Sequence, residues 1–130
     1  MNRPVSKILT ERELQIMDVL WQRKSASAEQ IRIALPDELH DSSVRTLLRV
    51  LEDKGYVKSD LNSKPRVYRA TVSQKTAQRK ATKNLLQRFF GGSAESLMLR
   101  LLEDEQLTIE QVNELRKSLR NARKDVDDVE

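Results

Sequence analysis

The spacing of apolar residues between positions 41 and 55 predicts an amphipathic helix. Apolar side chains recur at i, i+3, i+4 and i+7, and they form one buried stripe of Val44, Leu47, Leu48 and Leu51. At about 100° per residue, the opposite face carries polar and charged residues, namely Ser42, Thr46, Arg49 and Asp53, with Ser43 and Arg45 beside them. Gly55 follows as the C′ residue, whose left-handed conformation ends the helix.

A basic hairpin is predicted directly after this helix. Apolar and basic residues alternate at 56–58 and 66–69 around a polar turn at 62–65, which is typical of two antiparallel strands. A polar helix face followed by a basic hairpin indicates a winged helix, whose helix enters the major groove of duplex DNA while the wing contacts phosphate. An ordinary solvated helix face with a surface hairpin is the alternative interpretation. The candidate DNA-binding residues are Ser42, Ser43, Arg45, Thr46 and Arg49 on the helix and Lys64 and Arg66 on the wing.

Two further helices are predicted upstream. Thr10 and Glu13 have the spacing of a capping box, and a stripe expected to be buried follows at Leu14, Met17, Leu20 and Trp21. A second box at 27–30 opens a short helix that Pro36 closes, and Asp41 or Ser42 is expected to cap the third helix. The order helix, short helix, turn, helix and wing predicts a mainly α, winged helix-turn-helix domain over residues 1–72, with three helices and a two- or three-stranded wing.

The pattern after residue 72 predicts three more helices, capped by Ser73, Ser93 and Thr108. The first has an apolar residue every four positions, the second is apolar almost all round, and the third has the spacing of a coiled-coil seam. So short a segment cannot bury this much apolar surface alone, which predicts a helical dimerisation domain over 73–123; packing onto the N-terminal domain is the alternative. Residues 124–130 are expected to form a frayed acidic tail. The expected dimer contacts are Leu85, Phe89, Leu97, Met98, Leu101, Leu102, Val112, Leu115 and Leu119.

Charge along the chain favours a polyanionic partner. The 130 residues carry a net charge of +4. Residues 42–69 hold seven basic and three acidic side chains, 74–94 hold five basic and no acidic ones, and 95–130 hold six basic and ten acidic ones. The two basic segments suit nucleic acid, although a charged run is often only a solvated face.

Composition also limits the chemistry that the chain can perform. There is no cysteine and only one histidine, so we expect neither a metal site nor a cofactor. No apolar run is long enough to cross a bilayer, which predicts no membrane insertion and a cytoplasmic location. An enzyme is not expected, because the sequence lacks a glycine-rich phosphate loop, a thiol and a histidine–serine pairing. A winged helix that serves as a protein-interaction scaffold remains the alternative, although its outward helix face shows no apolar anchor.

Three segments, in register, resemble the penicillinase repressor family (BlaI/MecI type). The first helix carries the family pattern at Thr10, Glu13, Met17 and Trp21, and the segments 43–48 and 51–55 resemble its recognition helix. The segments that resemble its dimerisation region are 90–93, 101–103, 107–108 and 114–115, together with Leu97. The resemblance covers residues 8–122.

This resemblance implies a homodimeric transcriptional repressor that binds a palindromic operator in double-stranded DNA. Family members often control genes for a β-lactamase, a penicillin-binding protein or a membrane-bound sensor protease. In some members the sensor triggers cleavage of the repressor within its dimerisation domain. Alignment of 90–93 and 107–108 places the corresponding bond between Arg100 and Leu101, where those members have Asn-Phe. Copper-responsive relatives carry a C-terminal cysteine cluster, which this chain lacks.

Overall fold

The computed structural model describes residues 8–128 and has a mainly helical architecture. Its helices are α1 (Glu11–Arg23), α2 (Ala28–Ala34), α3 (Asp41–Asp53), α4 (Gln74–Phe89), α5 (Ala94–Glu103) and α6 (Ile109–Asp128). Its strands are β1 (Ser25–Ser27), β2 (Val57–Asp60) and β3 (Val67–Ala70). This arrangement confirms the predicted winged helix, in its three-stranded form, followed by a helical C-terminal segment.

Side-chain caps begin the first two helices as predicted. Thr10 Oγ1 accepts a hydrogen bond from the Glu13 N–H at 3.2 Å, and Glu13 Oε1 accepts one from the Thr10 N–H at 2.8 Å. Ser27 and Gln30 form the same reciprocal box at the start of α2. The predicted cap of α3 is wrong, because His40 is the N-cap residue and makes no side-chain cap bond. Asp41 lies inside the helix instead, and its carboxylate accepts a hydrogen bond from Arg45 one turn later.

The end of α3 is fixed by a glycine, as the sequence predicts. Gly55 has φ of +82°, the Gly55 N–H donates to Glu52 O, and the Tyr56 N–H donates to Leu51 O, both at 2.9 Å. These two bonds make a Schellman motif, which satisfies carbonyls that the helix leaves free. The chain therefore turns sharply from α3 into the strands of the wing.

The small sheet has the strand order β1-β3-β2, and both pairings are antiparallel. In its register Ala26 lies opposite Tyr68, which is buried, and Lys58 lies opposite Arg69, which is exposed. Strand β1 was not predicted, since its three residues show no apolar alternation and lie directly between two helices. One face of the sheet thus covers the core while the other faces solvent.

The core of the winged helix joins α1, α2, α3 and the sheet. Its largest fully buried side chains are Ile16, Met17, Leu20, Ile31, Val44, Leu48 and Leu51. Burial of side chains of this size is worth about 1.5–3 kcal/mol each.

Leu14 is 43% exposed, so its predicted burial is wrong: it shares an outward row of α1 with Asp18, four residues later. Trp21 packs against the core as predicted, and its Nε1–H donates to Val72 O at 2.8 Å.

A buried ion pair joins the end of α3 to the start of α1. Lys54 Nζ lies 2.6 Å from Glu13 Oε1, and the two side chains are 8% and 3% exposed. Lys54 also donates to Ile8 O at 2.9 Å. Burial raises the pKa of Glu13, but the hydrogen bonds from Lys54 and from the Thr10 N–H, together with the charge of Lys54, outweigh burial and lower it. The carboxylate is therefore held in its charged form between the two helices.

The chain divides into two compact units within α4, after residue 81. The sequence placed the domain boundary after residue 72, but the first turns of α4 also contact the N-terminal unit. Ala77 packs against its core, and Lys80 Nζ lies 5.6 Å from the centre of the Tyr56 ring. The N-terminal unit thus includes the start of the helix that leads out of it.

The C-terminal unit consists of the rest of α4 together with α5 and α6. Ser93 and Thr108 in this unit, and Ser73 at the start of α4 in the N-terminal unit, accept hydrogen bonds from backbone N–H groups three residues later, as their predicted capping roles require. Helix α6 extends to Asp128, farther than the end predicted near residue 123. The remainder of the predicted acidic tail, residues 129 and 130, lies outside the described residues.

Candidate nucleic-acid interface

The outward face of α3 is polar and open. Val44, Leu48 and Leu51 are completely buried, which fixes the rotation of the helix about its own axis. The opposite side is therefore held towards solvent, and it exposes Ser42, Arg45, Thr46, Arg49 and Asp53, while Ser43 is half-buried. All five residues predicted to bind DNA on this helix thus lie on one accessible or partly accessible surface.

Two hydrogen bonds within α3 hold side chains on this outward face. Arg45 Nε donates to Asp41 Oδ2 at 2.8 Å, a pairing four residues apart. That hydrogen bond and the charge of Asp41 raise the pKa of Arg45 above its already high ordinary value. The Thr46 hydroxyl donates to Ser42 O at 2.9 Å, so its oxygen remains able to accept a bond from an outside donor. The Asp41–Arg45 pair was not predicted from the sequence, although its i, i+4 spacing is a recognisable signal.

The wing carries its two predicted basic residues on a structured turn. The Asn62 N–H donates to Asp60 Oδ1 at 2.9 Å, and Ser63 Oγ bridges the strands by donating to Asp60 O and accepting from the Val67 N–H. Lys64 and Arg66 are both exposed beside this turn, as expected for residues that reach phosphate. The turn also exposes Leu61, an apolar residue that was not predicted to belong to the interface.

The basic residues near the predicted interface do not all contribute to it. Lys54 counts towards the local positive charge in the sequence, but its ammonium group is buried against Glu13. Lys58 and Arg69 are exposed and lie directly opposite each other on β2 and β3. No ion pair involves either of them within the described part of the chain. Like charges paired across a sheet are unfavourable, so this stem of the wing favours an anion nearby.

The C-terminal unit presents a large apolar surface. In the parts of α4, α5 and α6 whose side chains are described, no residue is fully buried. Phe89 is 73% exposed, and Leu115 and Leu119 are each more than half exposed. The nine predicted dimer contacts divide into an exposed group, Leu85, Phe89, Met98, Leu115 and Leu119, and a half-buried group, Leu97, Leu101, Leu102 and Val112.

The predicted cleavage site lies inside a regular helix. Arg100 and Leu101 belong to α5, whose last turn is closed by the Asp104 and Gln106 N–H groups, which donate to Arg100 O and Leu101 O. The Arg100 side chain is exposed and pairs with Glu103 at 3.3 Å, while Leu101 is half-buried. An extended protease substrate conformation would therefore require this turn to unfold locally.

Neither a metal site nor a membrane span is found among the described residues. Among residues 8–128, no group of three or more histidine, cysteine or carboxylate side chains is placed to hold a metal ion. Within the same residues, no helix is long and apolar enough to cross a membrane.

Comparison with known proteins identifies relatives along almost the whole chain. The family model described as penicillinase repressor matches residues 9–121. The methicillin resistance regulatory protein MecI of Staphylococcus aureus (strain N315) is 28% identical over 113 residues, which cover 85% of this chain and 92% of that protein. The penicillinase repressor of Staphylococcus aureus is 28% identical over 114 residues, covering 86% and 90%. The penicillinase repressor of Bacillus licheniformis is 25% identical over 109 residues, covering 82% and 85%.

Proposed function

The chain belongs to the penicillinase repressor family, and on that premise we propose that it is a homodimeric repressor of a palindromic operator in duplex DNA. Members of the family are transcriptional regulators and not enzymes. The observation that carries the proposal is the polar, outward face of α3 beside a wing with exposed Lys64 and Arg66. A helix of this kind fits the major groove, and the wing residues are suited to phosphate contacts.

A protein-interaction scaffold is less well supported than DNA binding. Binding surfaces for proteins usually centre on apolar or aromatic anchors that enter pockets. The outward face of α3 offers hydroxyl, guanidinium and carboxylate groups instead. The described apolar residues that are strongly exposed near the wing and α2, Leu61 and Ile33, lie outside that face.

The apolar surface of the C-terminal unit supports dimerisation. A second copy with the same surface can cover it through a two-fold contact. A two-fold protein places two recognition helices on one side of DNA, so the operator half-sites should be one or more helical turns apart. Since the relatives are named as penicillinase and methicillin resistance regulators, we propose that the controlled genes encode a β-lactamase, a penicillin-binding protein or a sensor protease.

Charge removal at the interface provides the first test of this proposal. Arg49→Ala should lower operator affinity by roughly 1–3 kcal/mol per half-site, because it removes a base or phosphate contact. Lys64→Ala on the wing should weaken binding to all sequences alike and should lower the salt dependence by about one phosphate contact per half-site. Titrations of labelled duplex at several salt concentrations measure both quantities.

Arg23→Ala provides the matched control, because Arg23 is exposed at the end of α1 and is not among the residues predicted to bind DNA. It removes the same charge, so its affinity should stay close to that of the unaltered protein. Equal losses for Arg23→Ala and Arg49→Ala would show that general charge, rather than the α3 face, accounts for binding.

Relief of repression by proteolysis should require a protease matched to this chain. A protease pocket that accepts Asn before the scissile bond would have to accept the longer, cationic Arg100 in this chain. After the scissile bond, Leu101 stands where those substrates have an aromatic ring. Each such mismatch is worth roughly 1–3 kcal/mol of specificity. Co-expression with an activated sensor of the Asn-Phe type should therefore leave the repressor intact. Efficient scission between Arg100 and Leu101 would contradict this expectation, and the variant Arg100→Asn with Leu101→Phe provides the positive control.

A further inference from the structure

Asp41 and Arg45 form the best-defined polar contact on the outward face of α3. Asp41 is the first residue of the helix, and Arg45 follows one turn later. The bond joins Arg45 Nε to Asp41 Oδ2 at 2.8 Å, while both side chains remain at least half exposed. The contact therefore lies where DNA is proposed to bind, and it does not serve the core.

The contact with Asp41 uses Arg45 Nε and leaves the two terminal nitrogens of the guanidinium for other acceptors. A guanidinium carries five N–H donors, of which Nε supplies one and the two terminal nitrogens supply four. Within the described residues, the terminal nitrogens of Arg45 have no hydrogen-bond acceptor. The carboxylate thus restrains the side chain through Nε and leaves both terminal nitrogens available as a pair of parallel donors, which is the donor set that reads guanine O6 and N7.

The charge of the pair also favours a base over a phosphate. Asp41 neutralises Arg45 locally, and a carboxylate beside the contact repels a phosphate oxygen. Guanine O6 and N7 are neutral acceptors, so they lose little from the nearby anion. Arg49 lies on the same face one turn later, and among the described residues no acidic side chain pairs with it. Its full charge suits a phosphate.

We propose that Asp41 is a positioning residue for base recognition: it holds Arg45 for a guanine edge and leaves Arg49 as the phosphate contact. This inference rests on the proposed function, because it divides roles within the same DNA-binding face. It assigns a specificity role to an acidic residue, whereas the predicted DNA contacts on α3 are polar or basic.

The test uses the full chain and a pool of random-sequence duplex DNA, from which bound sequences are selected and read. The unaltered protein should select a guanine at one position in each half-site. Arg45→Ala should lose that preference, by roughly 5- to 100-fold in relative affinity for guanine over other bases. Asp41→Asn should also weaken the guanine preference several-fold. The same variant should make total DNA binding more salt-dependent, by about one phosphate contact per half-site, because the released guanidinium reaches phosphate.

Two controls separate positioning from a general charge effect. Asp53→Asn removes an exposed acid from the outward face at the other end of α3, and it should leave the selected guanine unchanged. In an Arg45→Ala background, Asp41→Asn should cause no further loss of base preference, since the residue acts through Arg45. Asp41→Glu, which keeps a carboxylate one turn before Arg45, should restore part of the preference.

The outcomes distinguish this inference from the proposed function. Selection of the same guanine with the same preference by Asp41→Asn and the unaltered protein would overturn the inference, while sequence-specific DNA binding would stand. The inference would also be overturned if Arg49→Ala, rather than Arg45→Ala, abolished the preference. If the unaltered protein selected no sequence at all, both would fail. Thermal unfolding of each variant confirms that the compared proteins are folded.

Discussion

Lys54→Met should lower the free energy of unfolding of the N-terminal unit by about 3–5 kcal/mol, because it leaves the Glu13 carboxylate buried without its partner. The Glu13 and Lys54 side chains are almost completely buried, and their atoms lie 2.6 Å apart. Loss of the lysine also removes the hydrogen bond that holds Ile8 O. Urea-induced unfolding, followed by circular dichroism, measures the change.

Two comparisons test the cause of this loss. Lys58→Met removes an exposed lysine from β2, and its effect should stay within about 0.5 kcal/mol. Replacing both partners, by Glu13→Gln with Lys54→Met, should recover most of the stability, because no uncompensated charge is then buried and the glutamine keeps an acceptor for the Thr10 N–H. If the double variant were as unstable as Lys54→Met alone, lost packing rather than unpaired charge would be the cause.

The same ion pair makes stability fall in acid. The pKa of Glu13 is lowered in the folded protein from its ordinary value of 4.5, so the unfolded chain binds a proton more readily. The stabilisation is therefore complete above pH 4.5 and is lost as pH falls through the lowered value. In unfolding measured down to pH of about 3, Glu13→Gln should flatten this part of the profile.

Charges placed on the apolar surface of the C-terminal unit should separate the proposed dimer and weaken operator binding by about 10²- to 10⁴-fold. Leu115→Glu with Leu119→Glu puts two carboxylates on the exposed seam of α6. Each monomer then binds its half-site alone, and the effective-concentration gain of a linked pair is lost. Sedimentation gives the assembly state, and titration with operator gives the affinity.

Ser118→Glu is the matched control, since it adds a carboxylate to the same helix at an exposed polar position. This variant should remain a dimer. A chain truncated after residue 81 keeps the whole N-terminal core, and it should be a folded monomer with similarly weak binding. A stable dimer of that shortened chain would place the main contact in the winged helix instead.

Local patterns in the sequence were sufficient to predict most of the winged helix. The capping boxes at Thr10 and Ser27 and the glycine at 55 depend on neighbours within a few residues, so their geometry can be recognised without the fold. The four-residue stripe of α3 likewise fixes which side of that helix faces outwards. These features predict that the polar side of α3 faces solvent, as it does in the structure, and the role of that side in DNA binding stays a prediction.

Contacts between distant residues could not be predicted in the same way. Glu13 and Lys54 are far apart in the sequence, and nothing in either neighbourhood indicates that the lysine is buried. Strand β1 depends on pairing with β3 rather than on its own three residues. The cap of α3 was mispredicted for a different reason: Asp41 has two local partners available, the backbone N–H groups and Arg45, and the side-chain pairing prevails.

The indole of Trp21 gives the protein an intrinsic optical probe confined to one of its two units. It is the only tryptophan in the chain, and its N–H is bonded to Val72 O within the N-terminal unit. Unfolding of that unit breaks the bond and exposes the ring to water, which changes its fluorescence. The circular dichroism of helices, by contrast, reports on the helices of both units, including α5 and α6. Comparing the two signals during denaturation therefore reveals whether the DNA-binding and C-terminal units melt together or in separate steps.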